Sequence, residues 1–97
     1  MATYGLREGE YAALYFGQGG KCAICQVATG NARRLAVDHD HAVEKKRGMR
    51  ASVRGLLCSG CNRMLGRFRD DPDALMRAAE YLRDWPAKRI LNEAKHC

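Results

Sequence analysis

The 97-residue chain has two prolines, few aromatic residues and no long apolar run. A membrane-spanning helix needs about 20 mostly apolar residues in succession, and no stretch approaches that length. The first residues, MATYGLRE, lack the apolar centre of a signal peptide. We therefore expect a cytoplasmic protein with no membrane association. A chain this short buries only a small core, so an added cross-link would help to stabilise it.

Acidic residues are scarce relative to basic ones. The chain has 17 Lys and Arg against 11 Asp and Glu, which gives a formal charge of +6, and its pI is about 9.3. This balance favours a polyanionic partner such as nucleic acid. The alternative is a basic surface that is simply solvated.

The pattern of apolar residues predicts one small α+β domain without internal repeats. Tyr11, Leu14 and Tyr15 recur at helical spacing. Asp71 is a strong N-cap candidate because Pro72 follows it in the first turn. The predicted elements are a helix over 7–16, strands over 35–37 and 52–57, a short helix from Ser59, a helix that starts after Asp71, and a last helix over 87–95.

Between the two predicted strands lies a strongly basic segment, residues 42–54. Glycine at position 48 gives it freedom to bend, and we expect a mobile loop. Such a loop is either a solvated surface or a clamp for phosphate groups. It contains one acid, Glu44, and the basic residues Lys45, Lys46, Arg47, Arg50 and Arg54.

Four of the five cysteines form two C-x-x-C pairs, Cys22 with Cys25 and Cys58 with Cys61. In a reducing compartment such pairs are typical of a tetrahedral Zn²⁺ site, which four thiolates would close and make structural. The alternatives are a redox dithiol or disulfides. Cys97 is left over at the terminus.

A second polar cluster follows the first predicted strand. Asp38, His39, Asp40 and His41 are consecutive, and in an extended chain the carboxylates share one side and the imidazoles the other. We expect a poor second zinc site, since no further cysteine or distant histidine completes it. A hydrogen-bonded polar turn is the alternative to a chemical role.

Asn62, directly after the last paired cysteine, suggests a chemical role for the cluster. A carboxylate and an amide oxygen form a sparse set of hard ligands that suits Mg²⁺. A neighbouring histidine, whose unperturbed pKa is about 6.5, can take a proton from water at neutral pH.

Three runs of sequence carry a resemblance to a known family. They are GKCAIC at 20–25, VDHDH at 37–41 and VRGLLCSGCN at 53–62. Together they resemble the phage recombination endonuclease VII family, which belongs to the HNH, or ββα-metal, nucleases. The resemblance implies a zinc-stapled β-hairpin and helix that carry the site, flanked by N- and C-terminal helices, with a core at about 10–82 and a helical tail at 83–97.

The resemblance also implies residue roles. Asp38 and Asn62 would bind a catalytic Mg²⁺ or Mn²⁺ ion, His39 would be the general base, and His41 would contact or orient the scissile phosphate. Asp40 would support a loop or a histidine. Structural zinc would be held by Cys22, Cys25, Cys58 and Cys61, and DNA would be bound by Lys45, Lys46, Arg47, Arg50, Arg54 and Arg63.

Two departures from the family pattern shape the expected activity. Junction-resolving members carry an acid shortly after the helix asparagine, where this chain reads RMLG, and they have a long helical C-terminal region. We therefore expect nicking or weakly specific DNA cleavage in a phage-infected or prophage-carrying bacterium. The alternative is a zinc-stabilised DNA-binding or accessory module that acts with a phage packaging or recombination partner. A homodimer is also open.

Overall fold

The computed structural model describes residues 5–96, with side chains through Leu91. It confirms a small α+β arrangement with one two-stranded sheet in this range. Cys97 lies outside the described residues. The elements are α1 (Glu10–Gly17), β1 (Ala36–His39), α2 (His41–Arg47), α3 (Met49–Ser52), β2 (Val53–Leu57), α4 (Ser59–Arg67), α5 (Pro72–Arg83) and α6 (Pro86–His96).

The chain divides into two compact units, Met1–Met64 and Leu65–Cys97. The first unit contains the hairpin, the four paired cysteines and residues 38–41, the DHDH cluster, and its core is small. The single domain over 1–97 stays a prediction. The buried apolar residues of the first unit are Leu6, Cys22, Leu35, Val37, Leu56 and Leu57.

The two strands pair antiparallel. The pairing becomes irregular near the end that carries Asp38 and His39, which we call the site end. Asp38 lies opposite Gly55, whereas His39 lies opposite Val53. Arg54 is therefore an extra residue on β2, which is the arrangement of a β-bulge. Bulges re-aim side chains and bend the strand that carries the extra residue, so this one acts on β2 at Arg54.

Helix α1 begins three residues later than the sequence predicts, after Gly9 with a left-handed φ of 84°. The side chain of Gln18, directly after α1, pairs with the backbone of β2 as a neighbouring strand would. The Gln18 amide accepts from Leu56 N at 2.8 Å and donates to Leu56 O at 3.0 Å. The hydroxyl of Tyr11 donates to Leu35 O at 2.5 Å. Polar contacts thus join α1 and the residue after it to β2 and to the residue before β1.

The predicted mobile loop over 42–54 is wrong, because most of the segment is helical. The Asp40 side chain accepts from Val43 N at 3.0 Å and so caps α2. Three basic residues in its last turn lie where the helix dipole favours positive charge. Gly48, with φ 90°, ends α2 and precedes α3.

In the second unit the predicted N-cap is confirmed. Asp71 accepts from Asp73 N at 3.0 Å at the start of α5. The indole of Trp85 donates to Leu82 O at 2.9 Å where α5 ends. None of the helices within residues 5–96 combines the length and the apolar content that crossing a bilayer requires.

Replacing Gln18 tests whether its amide stabilises the first unit. Gln18→Met keeps the length of the side chain, but it leaves the backbone N–H of buried Leu56 without its hydrogen-bond acceptor. Because an orphaned buried backbone group costs about 1–3 kcal/mol, we expect a loss of that size in the free energy of unfolding. Urea unfolding followed by far-UV circular dichroism measures it. An unchanged midpoint and slope would show that water replaces the amide at no cost.

Candidate functional site

The four paired cysteines meet in the first unit. One sulfur from each of Cys22, Cys25, Cys58 and Cys61 lies within 4.8 Å of the others. The Cys25 and Cys58 sulfurs are 3.9 Å apart, well beyond a disulfide bond of about 2.05 Å. A tetrahedron with Zn–S bonds of about 2.3 Å has sulfur–sulfur edges of about 3.8 Å. The cluster therefore has the dimensions to bind zinc.

Local backbone structure holds the two pairs together. The first C-x-x-C attaches to the sheet where Ala23 N donates to Leu56 O at 3.2 Å. Cys58 follows β2 directly and begins the turn into α4, where Cys61 N donates to its sulfur at 3.4 Å. The cluster thus links the chain before β1 to the junction of β2 and α4.

The surroundings of the thiols shift their pKa values in opposite directions. Burial raises the pKa of the Cys22 thiol, but backbone N–H groups, first that of Cys58, outweigh this and lower the pKa to about 6. Burial raises the pKa of Cys61 to about 12. Thiolates that crowd together repel one another, and a divalent cation at their centre removes that penalty.

At the site end of the hairpin, Asp38 forms a bidentate ion pair. It is only 7% exposed. Its Oδ2 accepts from Arg54 Nε at 2.7 Å and its Oδ1 accepts from Arg54 Nη2 at 3.0 Å. Arg54 Nη1 also lies 4.0 Å from Asp40 Oδ2. Arg54, the bulge residue, thus binds the carboxylate that the sequence predicts as a metal ligand.

The two histidines of the cluster converge on Glu44. His39 Nε2 is 3.4 Å, and His41 Nδ1 is 3.9 Å, from the same carboxylate oxygen of Glu44. The imidazole rings are edge to face with centroids 4.7 Å apart. One donor atom from each of the three residues lies within 4.8 Å of the others. The side chain of His39 is 16% exposed and that of His41 is 80% exposed.

Sequence reasoning missed Glu44. It counted only cysteine and histidine as ligands that could complete a second zinc site, and it treated residues 42–54 as a loop. The available signal was the spacing of His41 and Glu44, which share a helix face at i, i+3 once Asp40 is recognised as an N-cap. Asp40 caps α2, and the N–H of Val43 lowers the pKa of its carboxyl.

The remaining predicted site residues lie on helices and the bulge. Asn62 is exposed on α4, and its backbone N–H donates to Cys58 O at 3.0 Å. Arg50 forms an ion pair with Glu10 of α1, and Arg54 is paired with Asp38. Four other predicted DNA-binding residues are exposed, and they are Lys45, Lys46, Arg47 and Arg63.

We expect tag-free protein to contain one zinc ion per chain, and Cys58→Ser to lose it. A structural zinc site contributes on the order of 10 kcal/mol, which is comparable to the whole stability of a small domain. The variant should therefore lose its cooperative unfolding transition. Cys97→Ser is the matched control and should keep both. Elemental analysis and a thermal melt measure the outcome, and full zinc in Cys58→Ser would exclude the four-thiolate site.

Comparison with known proteins agrees with the motifs. A family model described as recombination endonuclease VII matches residues 1–84. The chain is similar to the Gene 59 proteins of Mycobacterium phages D29 and L5, with 50% and 48% identity over 94 residues, which is 96% of this chain and 53% of each relative. The chain thus spans about half the length of these relatives. No solved structure matches it. The predicted family is confirmed, and the chain belongs to the recombination endonuclease VII family.

Proposed function

We propose that this chain is a divalent-metal-dependent DNA endonuclease of the HNH type, which hydrolyses phosphodiester bonds by nicking or weakly specific cleavage. The observation that carries the proposal is a nearly buried carboxylate, Asp38, followed by a histidine, His39, at the end of β1. Membership in an endonuclease family supports it. The phage origin of the relatives supports action inside an infected bacterium.

The order of elements supports the ββα-metal assignment. Strands β1 and β2 form a hairpin, and α4 follows β2 after a single residue, Cys58. Zinc on the four cysteines would fix the start of α4, and with it Asn62, beside the end of β2. In this proposal the zinc is structural because four thiolates leave no coordination position for a substrate.

The catalytic ion would be held by Asp38 and Asn62. Their carboxylate and amide oxygens are the hard ligands that Mg²⁺ and Mn²⁺ prefer, and so the donor chemistry fits. When bound, the ion would stabilise charge on the reacting phosphate and on the departing oxygen. Arg54 would then release Asp38 and become available to a flanking phosphate.

His39 would act as the general base. Its side chain is largely buried, yet part of it reaches solvent, so it can accept a proton from the attacking water. Glu44 Oε2 is 3.4 Å from Nε2 and would hold the imidazole through a proton on that nitrogen, so that Nδ1 would accept the proton from water. His41, which is mostly exposed, would contact or orient the scissile phosphate.

Basic residues around α2 would hold the DNA backbone. Lys45, Lys46 and Arg47 form the last turn of the helix that starts at the DHDH cluster, and all three are exposed. Contacts from such residues to phosphates carry no sequence information, which agrees with weak specificity. Their contribution to affinity falls as salt rises.

One observation favours the alternative of a DNA-binding or accessory module. Both carboxylate oxygens of Asp38 already accept hydrogen bonds from Arg54. If that ion pair persists on DNA, the chain needs a phage partner or a second copy to displace Arg54 before any ion can bind Asp38. The same chain would then bind DNA without cutting it alone.

Removal of the proposed base should abolish nicking. Loss of a general base lowers rates about 10²–10⁴-fold, so we expect His39→Ala to nick supercoiled plasmid in Mg²⁺ or Mn²⁺ at least 10²-fold more slowly. DNA affinity measured in Ca²⁺ should be unchanged. His96→Ala is the matched control.

Equal nicking by His39→Ala and wild type would remove His39 from the mechanism. Absence of nicking by wild-type protein in either metal, with DNA binding retained, would favour the binding or accessory module. Addition of a purified phage partner would then be the next arm of the experiment.

The basic turn of α2 has its own test. A Lys45→Gln, Lys46→Gln double variant should bind duplex DNA more weakly, and its plot of log affinity against log salt should be shallower by about 2, because each phosphate contact contributes about 0.9 to the slope. Lys88→Gln in α6 is the control. Fluorescence anisotropy from 50 to 200 mM salt, roughly the range in which the effect is large, measures both. An unchanged slope would exclude these lysines from the DNA interface.

A further inference from the structure

We propose that His39, His41 and Glu44 form a second metal site that takes a transition-metal ion such as Zn²⁺ or Ni²⁺. We further infer that occupation of this site switches off DNA cleavage. The existence of the site stands on its own geometry, whereas the inhibition rests on the proposed function of His39 as the base.

The geometry of the three side chains approaches that of a metal site. Tetrahedral ligands about 2.0–2.1 Å from zinc lie about 3.3–3.4 Å apart. The distance from His39 Nε2 to Glu44 Oε2 is 3.4 Å, and that from His41 Nδ1 to the same oxygen is 3.9 Å. The three donor atoms lie within 4.8 Å of one another, and His41, which is mostly exposed, has room to rotate toward a shared ion.

The backbone explains why the three side chains meet. His39 is the last residue of β1 and lies opposite Val53, directly beyond the bulge. Asp40 caps α2, so His41 and Glu44 occupy the same face of its first turn. The ligands thus come from a strand end and a capped helix, each fixed by its own hydrogen bonds.

The donor set selects a class of ion different from the proposed catalytic one. Two imidazole nitrogens and one carboxylate suit Zn²⁺, Ni²⁺ and Co²⁺, whereas Mg²⁺ prefers oxygen ligands only. Three protein ligands leave a coordination position open to water. The site is also distinct from the four-thiolate cluster, with which it shares no residue.

A metal ion on His39 removes the proposed base. The ion would take the lone pair of Nε2, and the proton of the neutral imidazole would then lie on Nδ1. Neither nitrogen could accept a proton from water. The ion would also hold His41, which the proposed mechanism assigns to the phosphate. Inhibition should therefore be reversible and depend on the concentration of free transition metal.

The first experiment measures binding alone. Tag-free protein that already contains one zinc is titrated with Zn²⁺ and with Ni²⁺ by calorimetry. We expect one further ion to bind wild type, and roughly tenfold or weaker affinity in Glu44→Gln, since changes even to outer contacts of a metal site cost about 10–100-fold. Glu80→Gln in α5 is the matched control and should bind like wild type. His41→Asn, a change at a second ligand, should also weaken binding.

Wild type that binds no ion beyond its first zinc would overturn the site. The same conclusion follows if Glu44→Gln and His41→Asn both bind with wild-type affinity. Circular dichroism spectra and retention of the first zinc show whether each variant is folded. If one of the two ligand variants fails to fold, the affinity of the other tests the site.

The second experiment measures inhibition as the nicking rate with added Zn²⁺ divided by the rate without it, at fixed Mg²⁺. This ratio is compared within each variant, so any change in the rate without zinc cancels. We expect Glu44→Gln to need roughly tenfold or more zinc for half-inhibition, and Glu80→Gln to match wild type. A second bound ion with no loss of nicking would overturn the inhibition. Wild type that never nicks would refute the proposed function, while calorimetry would still decide the site.

Discussion

The meeting of four cysteine sulfurs within 4.8 Å is the constraint on which the first unit depends. Its described apolar core is formed by a few residues, one of which is Cys22 itself. Hydrophobic burial on this scale stabilises a small domain only marginally. The cysteines come from the chain before β1 and from the junction of β2 with α4. A cation at their centre would therefore tie the chain that enters the hairpin to the chain that leaves it. The polar contacts of Gln18 then pair with the outer edge of β2.

The ion pair of Asp38 with Arg54 defines how the site end could change on binding a metal ion. A guanidinium contributes one positive charge, and its nitrogen is 2.7 Å from the carboxylate oxygen. A Mg²⁺ ion contributes two charges at about 2.1 Å, so its attraction for the carboxylate is stronger, although it must lose hydration water first. DNA would shift this balance further, because its phosphates attract the displaced arginine. Metal ion and substrate would then favour each other's binding.

Much of the fold and of the cysteine cluster could be predicted from sequence because their signals are local. The C-x-x-C spacing placed the four sulfurs, and Asp71 with Pro72 placed the start of α5. The sequence predicts residues 42–54 wrongly because Asp40 resembles part of a reactive cluster, whereas in the structure it caps α2. A helix cap and a metal ligand are both carboxylates in sequence, and only the hydrogen bond to Val43 distinguishes them. The bulge at Arg54 has no sequence signal at all, since it depends on how two strands pair.

The end of β1 has two different chemistries in adjacent residues. Asp38 offers hard oxygen ligands, whereas His39 offers a nitrogen that faces Glu44. The general base of a metal-dependent nuclease must be basic and accessible, and these are also the properties of a good transition-metal ligand. Burial protects such a histidine only in part, because water must still reach it. In this proposal Glu44 would both favour the reactive tautomer of His39 and supply the third ligand of the competing site. The local concentrations of magnesium and of free transition metal would then decide which chemistry prevails.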